Sequence, residues 1–460
     1  MSSSENSGGV MMPTSAGYVP NDLTALNAQH ARKVHHVPTP ALDDVANRLP
    51  RFAPKKLFYG WVVVGVAVSA VMMTAGSRAA PGALLVDMER STGWSTSTLS
   101  IAASISLVMY GAGGPLAAFI ISRIGLRATT VMSLLLAAIS FLLSARTTSL
   151  WSFYLWFGFG AGLASGLIAS VLGATIANRW FVDRRGLVTG IFGASTSAGL
   201  LVFFPFFTAL AAGSGWRRSL EIGAVLLVIT AIPTAWLMRD APADVGLAPY
   251  GGTPEPTRPP DRGLFRRAAR RPEFWLLATT FMVCGVTSNG LVGQHFIAHA
   301  TEHGFAEVTA ANWLAVMGLF NFVGTLVSGW LTDRYDPRRL LFAYYSFRGV
   351  SLFFLPVIHD NVSIGVFAVL FGLDYIATVP PTIMLCAEAF GRHNAGTVYG
   401  WVFAAHQIGA AASAWGAAVI REAAGDYTWA FSAGGGIAIA AGMLATMIRR
   451  PSPSASALAV

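Results

Sequence analysis

Gly329-Trp330-Leu331-Thr332-Asp333-Arg334-Tyr335-Asp336-Pro337-Arg338-Arg339 is a charged turn set between two apolar runs of spanning length, 308–331 and 339–358. Its spacing returns near the front of the chain. There Ala118-x3-Ser122-Arg123-x-Gly125-x-Arg127 closes another apolar run, 96–121. A basic turn after the second apolar run and again after the eighth points to a duplicated bundle, the architecture of many secondary transporters.

Around these two turns, the rest of the chain divides in the same way. Apolar stretches at 57–85, 96–121, 127–145, 150–178, 186–212 and 217–238 form a first set of six. Those at 273–299, 308–331, 339–358, 362–389, 395–421 and 427–448 form a second. Each must be helical, because a segment in lipid has to satisfy its own backbone hydrogen bonds. The 460 residues are 54% hydrophobic and only 12% charged. A soluble chain carries about a quarter charged residues, and a crossing helix needs about 20 residues. The prediction is an all-α membrane protein with twelve transmembrane helices in two six-helix pseudo-repeat bundles. That excludes an ordinary soluble enzyme. The net charge of +9 is scattered in short clusters between apolar runs, which is no nucleic-acid face. Cys284 and Cys386 lie inside apolar runs and imply neither a disulfide framework nor a thiolate metal site. No nucleotide-binding motif is present, and no cofactor is expected.

The expected organisation is a disordered tail at 1–56, a bundle at 57–238, a linker at 239–272, a bundle at 273–450 and a short tail at 451–460. The first tail is rich in Ser, Pro, Asn, His and Ala and has no apolar stretch near its start, so no cleaved signal peptide is read there. The linker is dense in proline and arginine. With the N-terminus inside, 21 of the 31 Lys and Arg fall in inner segments near the membrane. The positive-inside rule then puts both termini in the cytoplasm of a multi-pass inner-membrane protein.

The repeated turn resembles the loop motif of the major facilitator superfamily, Gly-x3-Asp-Arg-x-Gly-x-Arg-Arg. The second copy keeps the glycine, aspartate and arginine positions; the first has Ala118 for the glycine and Ser122 for the aspartate. The chain further resembles bacterial monocarboxylate-porter and oxalate/formate-antiporter-like members of that superfamily. The residues are Gly60-Trp61, Arg78-Ala79-Ala80-Pro81-Gly82, Asn178-Arg179-Trp180-Phe181-x3-Arg185-Gly186-Leu187, Arg348-Gly349-x-Ser351-Leu352, Pro380-Pro381 and His406-Gln407-x-Gly409. The resemblance implies alternating access by rocking of the two bundles. It also implies an inner gate at Gly329, Asp333, Arg334, Arg338 and Arg339. Carboxylate carriers of this kind place a cation in the first, eighth or eleventh helix. Here Arg78 lies one residue from the first-helix lysine position, the eighth helix has no cation, and the eleventh offers His406.

Charges inside spans are costly and need a partner or a wet cavity. Arg78 is read as a bidentate clamp for a substrate carboxylate, against the alternative of a residue snorkelling near Asp87 and Glu89. Histidine as a residue type changes charge near neutral pH, so His406 is read as a substrate and proton site, or else as a helix-bridging histidine. Tyr110, Asn289, Asn321 and Gln407 are polar groups that either meet substrate or bridge helices. Arg348 and Asp374 lie at similar depth. They form either a structural ion pair, the preferred reading, or a proton relay in which Asp374 is the carrier. His295 and His299 share a helix face at metal-pair spacing, but no third ligand is evident. The expected activity is proton-coupled transport of a small organic anion, a monocarboxylate, by a monomer in contact with lipid. Efflux of apolar or cationic compounds predicts an acidic residue in the first bundle between Glu89 and Asp183, and none is there. A non-transporting membrane sensor would need a partner domain or a structured tail.

Overall fold

The computed structural model describes residues 58–94, 96–253 and 263–449. The tails at 1–56 and 451–460 and the middle of the linker lie outside them. Twelve long helices make up nearly everything described. In the first bundle α1 is Tyr59–Thr92, α2 Thr96–Ile124, α3 Leu126–Arg146 and α4 Leu150–Trp180. The continuous stretch Arg185–Leu237 holds α5 and α6, which meet at Gly215. In the second bundle α7 is Pro272–Glu302, α8 Glu307–Thr332, α9 Pro337–Phe354, α10 Asn361–Phe390, α11 Ala395–Ala424 and α12 Thr428–Thr446. Ten helical stretches are long and apolar enough to cross a bilayer, the 53-residue Arg185–Leu237 being one of them. Its break at Gly215 and the addition of α11 bring the helices to twelve.

The boundaries depart from the sequence reading mainly in α1. It was expected to end at 85 and instead runs to Thr92, where Gly93 at φ 72° closes it and its amide donates a hydrogen bond to Glu89 O. At about 1.5 Å per residue, a helix this long overreaches a hydrocarbon core of about 30 Å, so its end stands clear of lipid. That projecting end is used. Asp87 Oδ2 accepts the Trp216 amide at 2.6 Å and so caps the start of α6. Gly215 turns there at φ 79°, ψ 160°, a conformation essentially restricted to glycine.

The two bundles repeat one packing scheme. α1 packs on α5, α2 on α4 and α3 on α6; likewise α7 packs on α11, α8 on α10 and α9 on α12. In lipid there is no hydrophobic drive between helices, so close approach at small residues does the joining. Gly113 meets Gly166 between α2 and α4, and Gly349 meets Gly435 between α9 and α12. Large apolar side chains such as Val225, Ile229, Ile232 and Trp236 on α6 are left exposed, as a lipid-facing surface requires. Between bundles, α5 lies along α8 and α2 along α11.

The fourth helix of each bundle is irregular. α4 is π-helical over Tyr154–Gly160, and α10 opens after Asp374 and resumes at Val379. The second break follows from sequence. Pro380 and Pro381 have no N–H to give to the preceding turn. The freed groups find other partners: Ser328 of α8 donates to Ala377 O at 2.5 Å, and the Ile376 amide donates to Asn321 Oδ1 at 3.2 Å. α7 also carries a π-helical segment, Val286–Val292.

Candidate functional site

The face that carries the start of the linker is called the linker face, and the other the far face. Arg78 lies on the far half of α1, half-buried, and turns inward between the bundles. Its guanidinium carbon is 4.1 Å from the centroid of the Tyr110 ring on α2. Tyr110 in turn meets Phe403 of α11 edge-on, with centroids 5.6 Å apart. Arg78 is also within electrostatic reach of Tyr375, at the break of α10. A cation over an aromatic face keeps part of its stabilisation without a counter-ion. Among the described residues no carboxylate pairs with Arg78. Gln407 borders the same spot, its side chain lying against Gly111 of α2.

His406, next to Gln407, faces into the second bundle and is 6% exposed. Its Nδ1 is 3.1 Å from Phe281 O, and its Nε2 is 3.2 Å from Asn289 Nδ2. A carbonyl only accepts, so Nδ1 donates to it, and Nε2 accepts from the Asn289 amide. The ring stacks on Phe403 at 5.9 Å. Asn289 itself sits in the π-helical segment of α7.

Asn321 joins three elements. Its Nδ2 donates to Ser197 of α5 across the bundle interface at 2.7 Å, while its Oδ1 accepts from Thr325 and from the free amide of Ile376. The side chain is therefore fully engaged as a bridge.

Arg348 and Asp374 meet deep inside the second bundle, 0% and 2% exposed. Nε donates to Asp374 Oδ2 at 2.6 Å. Nη2 donates to the Tyr375 carbonyl, which the break in α10 has released, and to the Asp374 carbonyl, which also accepts the Ala377 amide. Nη1 reaches Cys284 Sγ and Thr287 Oγ1. The five N–H groups of the guanidinium are matched by five acceptors. Asp374 Oδ1, by contrast, is buried without a hydrogen-bond partner.

On the linker face the bundles close against each other. Gly186 and Gly190 of α5 pack on Gly329 of α8. Asp333 Oδ1 accepts the Gly186 amide at 2.7 Å and Oδ2 the Leu187 amide at 2.9 Å, at the first turn of α5. Burial pushes the Asp333 carboxyl above its usual value, although both amides pull it down. Arg392 adds bonds to Asn178 O and Phe181 O at 3.1 Å each. A groove of about 840 Å³ lies outside this contact, bordered by Arg184, Arg185, Asp333, Arg334 and Glu388. The other motif arginines point elsewhere. Arg334 lies over Trp330 at 3.9 Å, and Arg338 is bound by Asp336 and reaches Ile448 O. Arg339 is exposed.

The structure thus brings Arg78, Tyr110 and Gln407 together at the bundle interface. Asn289 and His406 form a second pair just behind it, and Asn321 a third contact between α5 and α8. Sequence reading missed Phe403, Tyr375 and Arg392. Arg392 had a signal, a lone cation in the short turn after α10 that faces the basic turn before α5. Phe403 and Tyr375 had none beyond their neighbours.

Comparison with known proteins bears on the family and the fold. The family model described as Major Facilitator Superfamily matches residues 66–414. Rat Monocarboxylate transporter 13 is 27% identical over 398 residues, covering 85% of this chain and 89% of its own. An uncharacterized MFS-type transporter of Bacillus subtilis, YcxA, is 24% identical over 325 residues, covering 69% of this chain and 77% of its own. Among solved structures, the proton:xylose symporter XylE superposes with a TM-score of 0.68 at 14% identity, over 85% of this chain and 96% of that one.

Proposed function

Because this chain belongs to the major facilitator superfamily, we propose that it carries a small organic anion, a monocarboxylate, across the inner membrane together with protons. The observation that carries the reading is Arg78: a half-buried cation at the bundle interface, held over Tyr110 and lacking a carboxylate partner among the described residues. A guanidinium there offers a carboxylate two parallel hydrogen bonds. The likeness to monocarboxylate transporters supports the same class of substrate.

In this reading 57–238 and 273–450 rock about the interface, and both termini and the linker are cytoplasmic. The distribution of Lys and Arg supports that orientation. The contact of Asp333 with the start of α5 is the closed inner gate, so the conformation described is shut toward the cytoplasm. His406 is the proposed coupling group. Adding a proton turns Nε2 from acceptor to donor, which forces the Asn289 amide to rotate and present its oxygen. That movement falls in the π-helical part of α7, a common location for functional adjustment. Arg348 and Asp374 support α10 from behind.

Uptake of radiolabelled short-chain monocarboxylates into proteoliposomes under an imposed pH gradient tests the reading. Inward-acid gradients failing to drive any of them would remove the substrate class. Arg78→Ala should abolish uptake and Arg78→Lys should leave a weak remnant; undiminished transport in Arg78→Ala would remove the clamp.

A further inference from the structure

The far end of α7 carries His295, His299 and His303, each four residues from the next. Each ring fastens α7 to a neighbour. His295 Nε2 donates to Ala414 O of α11 at 2.9 Å, and its Nδ1 lies 3.3 Å from the Tyr427 hydroxyl. His299 Nε2 donates to Leu355 O at 3.2 Å, while its buried Nδ1 has no hydrogen-bond partner. Neutral rings satisfy both arrangements. His303 is different. Its Nδ1 is 2.9 Å from His299 O and its Nε2 is 3.1 Å from Pro356 O. Both partners are carbonyls and can only accept, so each nitrogen must carry a proton and the ring must be an imidazolium.

We propose that His303 is a proton-operated latch that pins the far half of α7 to the end of α9, fastened when the far-side solution is acidic and released as it turns neutral. The site suits the charge, because His303 follows the last turn of α7, where free carbonyls favour a cation. Losing one proton leaves a nitrogen lone pair facing a carbonyl, so one of the two bonds becomes repulsive. Below the latch lies the π-helical segment Val286–Val292, a place for α7 to bend. Freeing the end above it would let the far half of α7 move over the interface that holds Arg78.

The surrounding charges are few. On α7 itself the His299 ring is 4.2 Å away, and Glu302 is taken by Arg421 of α11 at 2.7 Å. From the connection between α9 and α10, His359 stacks on His303 at 5.1 Å. Next to it Asp360 caps α10. Hydrogen bonds from Ser363 hold its carboxyl below the usual range, so it stays charged wherever a histidine titrates. Asp426 and Tyr427 precede α12. His359 is the neighbour that opposes protonation when it is itself charged.

Hydrogen exchange of the purified full-length chain, corrected for intrinsic rates, tests the latch between about pH 5 and 8. Amides at the far end of α7 should lose protection by about tenfold as pH rises. His303→Gln puts a non-titrating amide in place of the imidazole, so its protection should show no pH step. His359→Gln removes a competing charge and should move the midpoint upward. A flat wild-type profile, or a step that survives in His303→Gln, overturns the proposal. Should His303→Gln fail to fold, an unmoved midpoint in His359→Gln does the same. None of these readings involves a substrate, so they stand or fall apart from the transport assignment.

Discussion

The buried pair of Arg348 and Asp374 separates two roles that a charge inside a membrane can have. A proton carrier must be able to change charge without collapsing its surroundings. Arg348 instead spends every donor on fixed acceptors, two of them carbonyls at the break in α10. Removing one member of a buried ion pair leaves the other uncompensated, at a cost of about 3–5 kcal/mol. Asp374→Leu should therefore lower the melting temperature steeply in detergent, at a fixed scan rate. For a simple pair, the double substitution Arg348→Met with Asp374→Leu would restore stability. Here it should recover only part, because the carbonyl of Tyr375 stays without a donor, at about 1–3 kcal/mol, while that of Asp374 keeps the Ala377 amide. Full recovery would mean that capping α10 is not what Arg348 does. His406→Gln should behave in the opposite sense: a fold that melts near the wild type, with substrate uptake no longer driven by a pH gradient.

Among the helices, the turn between α5 and α6 shows how a far-side element is held by a residue distant in sequence. The projecting end of α1 brings Asp87 to the Trp216 amide, and Ser91 to the Trp216 indole at 2.7 Å. Gly215→Ala should cost about 1–3 kcal/mol, since φ 79° and ψ 160° are closed to a Cβ. Asp87→Ala should cost about 0.5–2 kcal/mol as a lost cap. Both are read as lowered melting temperatures, and a combined loss smaller than the sum would show that the two act on one turn. Helix existence was legible from hydropathy, since lipid leaves an apolar run no other structure. The interruptions were only half legible. By hydropathy 362–389 reads as one helix, although Pro380-Pro381 inside it carry the signal for the break of α10, because the missing N–H groups are written in the sequence. The π-helical segments at Tyr154–Gly160 and Val286–Val292 contain no proline, and their backbone is set by packing that hydropathy does not encode.

In the molecule as a whole, the legible part of the site is again what charge alone reveals. Arg78 stood out because a cation in a span demands an explanation, and Asp333 because a repeated turn framed it. The partners of Arg78 were not legible: Tyr110 meets it from another helix and Phe403 from the other bundle, so only assembly places them. Asp333 was expected to act with Arg334, Arg338 and Arg339. In the structure its carboxylate reaches α5 while Arg338 is bound by Asp336. Closure on the linker face then rests on the glycine contact beneath Asp333. A Cβ added to Gly329 would lie 2.9 Å from Gly190 Cα, a separation that only backbone movement can relieve. Gly329→Leu should thus favour the state in which the linker face is open, without touching Arg78. The readout is a cysteine at position 407, beside the interface, in a chain whose two native cysteines are both buried. A membrane-impermeant thiol reagent applied from the linker side should label Gln407→Cys slowly, and severalfold faster once Gly329→Leu is added. Reagent from the far side should show the reverse order. Equal rates from the linker side would mean that α5 and α8 do not form the barrier, and that closure resides in the α2–α11 contact instead.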